Sequence, residues 1–229
     1  MSEGKEMSFW GHIGELRGHL IRSIIAIIVG AIVVGLNVNW IMDHIFFGPT
    51  RNDFFTFRVV NHFSRELIGE NSITLPEHFA VQQKKLFQQF NVMMSVSIFG
   101  GIVAAFPYII WELWRFISPA LHPNERKNSV FLINFVWILF VVGILCGYFL
   151  ILPFAINFGL LFTISDSITQ LFDLSDYTTL LMQVVLGMGL VFLFPVIVYF
   201  LTSIGILTPN FMRTYRRHAI VLIMVVAAI

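Results

Sequence analysis

Apolar residues in this chain neither alternate nor mark one face of a helix; over four stretches they run almost unbroken. These cover about 20–40, 92–113, 130–152 and 180–204. A helix rises ~1.5 Å per residue, so roughly 20 residues cross the ~30 Å of a bilayer's hydrocarbon. Each run therefore predicts a membrane-spanning helix. A fifth run, 219–229, stops with the sequence and would reach only about 16 Å as helix, an incomplete span. The pattern predicts an all-α, polytopic transmembrane bundle, one domain over 1–229, with four complete spans and part of a fifth.

Polar segments separate the spans. The longest, 42–91, carries Phe55, Val59, Phe63 and Leu67 at steps of four, the spacing of an amphipathic helix. Residues 79–90 repeat this more weakly. One or two short amphipathic helices are expected in this first outer loop; the alternative is a solvated loop with incidental aromatics. Pro49, Pro119, Pro153 and Pro209 sit where spans begin or end. Pro107 and Pro195 fall inside spans, where neighbouring helices can satisfy the freed carbonyls, and kinks are expected there. Gly100, Gly101, Gly187 and Gly189 should let helices approach closely.

Composition strengthens the membrane assignment. Apolar residues make up 57% of the chain and charged ones 12%, against about 45–50% and about 25% in a soluble domain. So little charge cannot clothe a water-soluble body of this size. The net charge of +1 gives no reason to expect a nucleic-acid partner. No short apolar core with a small-residue cleavage site marks a signal peptide, so the first span is expected to stay in the mature protein. The single cysteine, Cys146, lies inside an apolar run and reads as a packing residue.

Charge also suggests orientation. Lys5, Arg17, Arg22, Arg115, Arg126, Lys127, Arg213, Arg216 and Arg217 fall on one side of the bundle, and Arg51, Arg58, Arg65, Lys84 and Lys85 on the other. The cation-rich side should be cytoplasmic, and with it the amino terminus.

No catalytic constellation is evident. The seven histidines are scattered, with no metal-ligand spacing, and read as surface residues. No phosphate-binding glycine loop and no nucleophile elbow occur. Neither an enzyme nor a cofactor is expected. Glu112 falls near the cytoplasmic end of the second span, at interfacial depth. A small-solute transporter or channel, the competing class, usually carries ionisable groups at mid-depth; none is found in the sequence.

The informative polar residues stand at the cytoplasmic rim. His12-Ile-Gly-Glu15-Leu-Arg17-Gly-His-Leu20 precedes the first span, and Trp114-Arg-Phe116-Ile-Ser-Pro119-Ala-Leu121-His-Pro-Asn-Glu125-Arg126-Lys127 follows the second. The third span ends Gly147-Tyr148-Phe149-Leu-Ile-Leu-Pro153, and Thr208-Pro209 precedes Arg213 and Tyr215-Arg216-Arg217. In order and depth these segments resemble the TatC family of twin-arginine protein translocases, over nearly the whole chain. The loop 50–90 is the poorest match. The resemblance implies six spans, of which this sequence enters the fifth. It also implies an acidic residue in the fourth span, where Leu193 stands instead.

The resemblance implies a receptor of the bacterial inner membrane. It would bind the twin-arginine signal peptides of folded cargo proteins at the cytoplasmic face and organise their export. Single-span partners of the TatA and TatB types, membrane lipid and further copies of the chain would surround it, and the proton-motive force would drive transport. Glu15 and Glu125 are the carboxylates the motif identifies for signal binding. Arg17, Phe116, Pro119, Leu121 and Arg126 are support residues. An arginine fork meets a carboxylate bidentately, which lysine cannot reproduce. Taken without the family, Glu15 could equally pair with Arg17 or cap a helix, and Glu125 could pair with Arg126 or Lys127.

Overall fold

The computed structural model describes residues 9–68, 81–118, 129–162, 165, 172–203, 221 and 224. Helix α1 spans Phe9–Leu36 and, after a turn at Asn37, α2 covers Val38–Ile41. A π-turn at Met42–Phe46 and a 3-10 turn at Gly48–Thr50 lead to α3, Phe55–Ile68. Then come α4 (Gln88–Ile117), α5 (Ser129–Cys146), a π-turn at Gly147–Ile151, α6 (Leu152–Leu161) and α7 (Leu174–Ser203). Two short strands, β1 (Val81–Gln82) and β2 (Phe172–Asp173), pair in parallel, Val81 opposite Phe172.

Among the described residues, four helical segments are long and apolar enough to cross a membrane: Gly14–Leu36, Gln88–Ile117, Asn134–Leu161 and Leu174–Tyr199. The expected all-α multi-pass architecture is therefore observed. The helices outrun the apolar runs that announce them: α4 opens on a satisfied polar residue, and the third span runs on through Pro153 to Leu161, so Pro153 lies within that span and not at its end. Gln88, which opens α4, is 1% exposed yet fully engaged. Its amide nitrogen donates to the Asp173 carboxylate and, at 2.9 Å, to the Ser175 hydroxyl, while its oxygen accepts the Lys84 and Lys85 backbone N–H groups. Those last bonds hold 85–87 as a turn, so over 81–87 the weaker amphipathic pattern of 79–90 forms a strand and a turn, and the second of the one or two short helices does not form there. The fifth apolar run lies outside the described residues except for Val221 and Met224, both helical.

The spans pack in two close pairs, α1 on α4 and α5 on α7, with α4 touching both α5 and α7. Glycine sets both crossings. A Cβ on Gly101 would stand 2.6 Å from the Ala31 nitrogen and 2.7 Å from the Ile27 carbonyl oxygen. One on Gly143 would meet the Met188 carbonyl at 2.7 Å and the Gly189 Cα at 2.9 Å. Such contact distances leave no room for a side chain, and small residues at helix crossings are the usual membrane solution. The expected role of Gly187 is not observed, since a Cβ there meets nothing within 4 Å. Helix α4 continues through Pro107 and α7 through Pro195.

The larger buried cluster lies at the far end of the bundle, opposite the amino terminus. It gathers Phe46, Phe57, Val92, Val96, Leu152, Ile156, Tyr177, Leu181 and Val185. The Tyr177 hydroxyl donates to the Phe46 carbonyl, and Tyr148 donates to the Ile45 carbonyl at 2.7 Å. These bonds satisfy carbonyls that the π-turn frees. A second cluster sits deeper, where Leu193 packs with the stacked rings of Phe106 and Phe140. Elsewhere the spans turn apolar side chains outward: Ile24, Ile28 and Ile32 of α1, Trp137 and Val142 of α5, and Leu190, Phe194 and Ile197 of α7. Water would oppose such a surface, whereas lipid accepts it.

Candidate functional site

The amino-terminal turns of α1 and the last turns of α4 meet at one end of the bundle. Of the residues singled out in the sequence, Glu15, Arg17, Phe116 and Leu193 are described; Pro119, Leu121, Glu125 and Arg126 lie outside the described residues. Glu15 and Arg17 are exposed on α1. Neither forms a hydrogen bond or ion pair with any described residue. The pairing of Glu15 with Arg17 that the sequence left open is thus not made, and the Glu15 carboxylate is open to solvent.

One turn further along α1, on the face that Glu15 shares, the situation reverses. His19 reaches across to α4 and bonds through Nδ1 to Glu112 Oε2. The Tyr108 hydroxyl donates to Glu112 Oε1 at 2.9 Å. Arg22 Nη1 stands 3.6 Å from Oε2, and Arg115 Nη1 stands 3.8 Å from Oε1. Glu112 is only 2% exposed. A buried carboxylate persists where charge partners and hydrogen bonds replace its water, and all of these partners do so here. The His19 ring also meets Phe116 edge to face, with centroids 6.1 Å apart. Phe116, expected as a support residue, therefore touches the residue that clamps α1.

Sequence reasoning missed this cluster. In the sequence His19 reads as one of several scattered surface histidines, and Glu112 as a residue at interfacial depth near the end of the second span. The two are 93 residues apart, so no local spacing links them. Their shared depth, each about a turn inside the same rim, was the available signal.

The arrangement divides two acids by what each can do. Both oxygens of Glu112 are engaged, so an incoming guanidinium would have to displace an internal partner. Glu15 has both oxygens available. At the fourth-span position where the family resemblance implied an acid, Leu193 is 7% exposed and surrounded by apolar groups, so no polar contact is offered there. Among the described residues no cluster of three or more His, Cys, Asp or Glu is placed to hold a metal ion.

Comparison with known proteins places the chain. The family model for the Sec-independent protein translocase protein (TatC) matches residues 11–229. A TatC from Blattabacterium sp. subsp. Periplaneta americana is 42% identical over 99% of this chain and 86% of its own length. The TatC of Halalkalibacterium halodurans is 30% identical over 97% of the chain and 78% of its own length. A crystal structure of the twin-arginine translocase receptor TatC in DDM superposes with a TM-score of 0.74 at 25% identity, covering 95% of this chain and 87% of that one. With the helical architecture and a sequence match over nearly the whole of this chain in agreement, it belongs to the TatC family of Sec-independent protein translocase proteins.

Proposed function

We propose that this chain is the receptor and core subunit of a twin-arginine translocase, binding the signal peptides of folded proteins and organising their export. As a translocase component it is a transport protein and not an enzyme. In this reading the amino end of the bundle faces the cytoplasm of a bacterial inner membrane. Glu15 and Glu125 accept the paired arginines, and Arg17, Phe116, Pro119, Leu121 and Arg126 shape the rim around them.

The observation that carries the reading is the open Glu15 carboxylate on a helix segment that the His19–Glu112 contact holds in place. A fixed, unpaired acid can receive an arginine without first giving up a bond. Fully in water such a pair contributes only ~0–1 kcal/mol. At the headgroup boundary, where water is partly excluded, a hydrogen bond to a charged group reaches about 1.5–3 kcal/mol. Two arginines on two acids would then give selective docking, and the apolar part of the signal can lie along the exposed face of α1.

Single-span subunits of the TatA and TatB types and further copies of the chain complete the complex in this proposal, with the proton-motive force as energy source. The apolar surroundings of Leu193 mean that any such partner helix must be held by contacts other than an acid at that position.

The test is binding of a signal peptide carrying Arg-Arg or Lys-Lys to the chain in lipid nanodiscs. A receptor built on bidentate carboxylates binds the arginine form at least several-fold more tightly. Equal binding of the two would remove the proposal.

A further inference from the structure

Helix α3 has three sides, and their order is unusual for a helix surrounded by water. Its bundle side buries Phe57, but it also buries Thr56 and Ser64, at 7% and 6% exposure. The Thr56 hydroxyl donates to the Phe149 carbonyl of the third span's π-turn. The outward surface then divides into two strips. Phe55, Val59 and Phe63 succeed one another at steps of four and are 62%, 36% and 60% exposed. Beside them run Arg58, His62 and Arg65, all exposed. A helix in water turns its aromatics to the core and its small polar side chains outward. In α3 two phenylalanines face out while a serine and a threonine face in.

The apolar strip does not end on the helix. The Phe55 ring meets Phe149 edge to face at 6.0 Å. Phe149 belongs to the third span, whose Leu150 and Phe154 present exposed apolar surface. The strip thus continues the lipid-facing surface of a membrane span. Trp40, 58% exposed and stacked on His44, marks the same end of the bundle with the amphipathic ring that membrane interfaces favour. The charged strip suits the same surroundings. Asp53 pairs with Arg58, and Glu66, which closes the apolar strip at its carboxyl end one turn after Phe63, lies 3.8 Å from His62, so both signs are present, as in phospholipid headgroups.

We propose that α3 is an interfacial helix lying in the leaflet at the far end of the bundle. Phe55, Val59 and Phe63 enter the boundary of the acyl chains, and Arg58, His62 and Arg65 lie among the phosphates. The occupant of the exposed aromatic strip is phospholipid. The first outer loop is thereby anchored twice, to the third span through Thr56 and to the bilayer through its aromatics. This inference is independent of the signal-binding reading.

The test uses the full chain in nanodiscs of phosphatidylethanolamine and phosphatidylglycerol, on a Cys146→Ser background. Single cysteines replace Val59, Phe63, Arg58 or His62 and carry an environment-sensitive fluorophore. All four positions are exposed, so none removes a packed side chain. Labels at 59 and 63 should emit further to the blue, and a lipid with a nitroxide high on its acyl chain should quench them at least twofold more than labels at 58 and 62. Aqueous iodide should show the opposite order. Equal iodide quenching at all four positions would overturn the proposal. So would shielding of 59 and 63 from both quenchers, with cysteine crosslinking of those positions between copies, because a second chain would then be the occupant.

Discussion

His19 on the first span is bonded to the buried carboxylate of Glu112 on the second, across 93 residues of sequence. Further along the pair Gly101 sets the crossing, where a Cβ on Gly30 of α1 would also stand 3.0 Å from the Gly101 carbonyl oxygen, and the His19 contact holds the start of α1 to α4. Removing the carboxylate takes away the acceptor that His19 and Tyr108 share, and a hydrogen bond to a charged group contributes about 1.5–3 kcal/mol. Glu112→Ala should therefore lower the melting temperature in detergent clearly, and Glu112→Gln, which can still accept from Tyr108, should lower it less. The pair also predicts coupling. In a double-mutant cycle with His19→Ala, the combined loss should fall short of the sum by roughly 0.5–3 kcal/mol. Strict additivity would show that the contact contributes nothing.

Two glycines that look alike in sequence should respond in opposite ways to alanine. At Gly101 the new methyl group meets backbone atoms of α1 at 2.6 and 2.7 Å, and backbone cannot swing aside. Overpacking of this kind costs about 1–3 kcal/mol. At Gly187 a Cβ meets nothing within 4 Å, so alanine should be neutral or gain up to ~1 kcal/mol of helix propensity. Thermal unfolding of Gly101→Ala and Gly187→Ala in one detergent distinguishes them. A Gly187→Ala loss as large as that of Gly101→Ala would contradict the packing described here.

Leu193 offers a third contrast. It is enclosed by Phe106 and Phe140 with no polar side chain in its cluster. A charged side chain at the centre of a membrane helix costs on the order of 2.5–3.5 kcal/mol by insertion measurements. Leu193→Glu should destabilise the isolated chain, while Leu193→Met, of similar volume, should cost less than about 1.5 kcal/mol. Unfolding in detergent at neutral pH measures both. If the glutamate variant matched the parent in stability, a polar partner or water would have to reach this cluster.

The spans and α3 were legible in the sequence because their signals are local. An unbroken apolar run reports a lipid surroundings residue by residue, and steps of four from Phe55 to Phe63 report one helical face. The ends of the spans were not legible. Gln88 looks like a loop residue until Asp173 and Ser175, from a distant segment, are brought to it. The Gln88 oxygen in turn takes the backbone N–H groups of Lys84 and Lys85, so 85–87 form a turn in place of the weak helical pattern. Gly189 and Gly187 differ by two positions, and only the partner helix shows which of them faces it. For the candidate site, family motifs pointed to Glu15, whose openness is a matter of what fails to reach it. His19 and Glu112 had no shared motif, and a contact between two spans leaves no trace in the spacing along either one.

Glu15 and Glu112 stand near the same rim, and the structure predicts that their loss should be felt through different measurements. Glu15 is exposed and makes no bond to any described residue, so Glu15→Ala should leave stability within about 0.5 kcal/mol of the parent. Its effect should appear in crosslinking of a twin-arginine signal peptide, with the arginine form weakened by a factor of several and the preference over the lysine form reduced. Glu112→Ala should lower stability first. Because the His19 anchor then fails, it should also weaken crosslinking, with a loss that tracks the fraction of chain properly folded. Measuring both properties for both variants separates a group that receives the signal from one that holds the receiving helix in place. If Glu15→Ala left crosslinking unchanged while Glu112→Ala abolished it at full stability, the roles assigned to the two acids would be reversed.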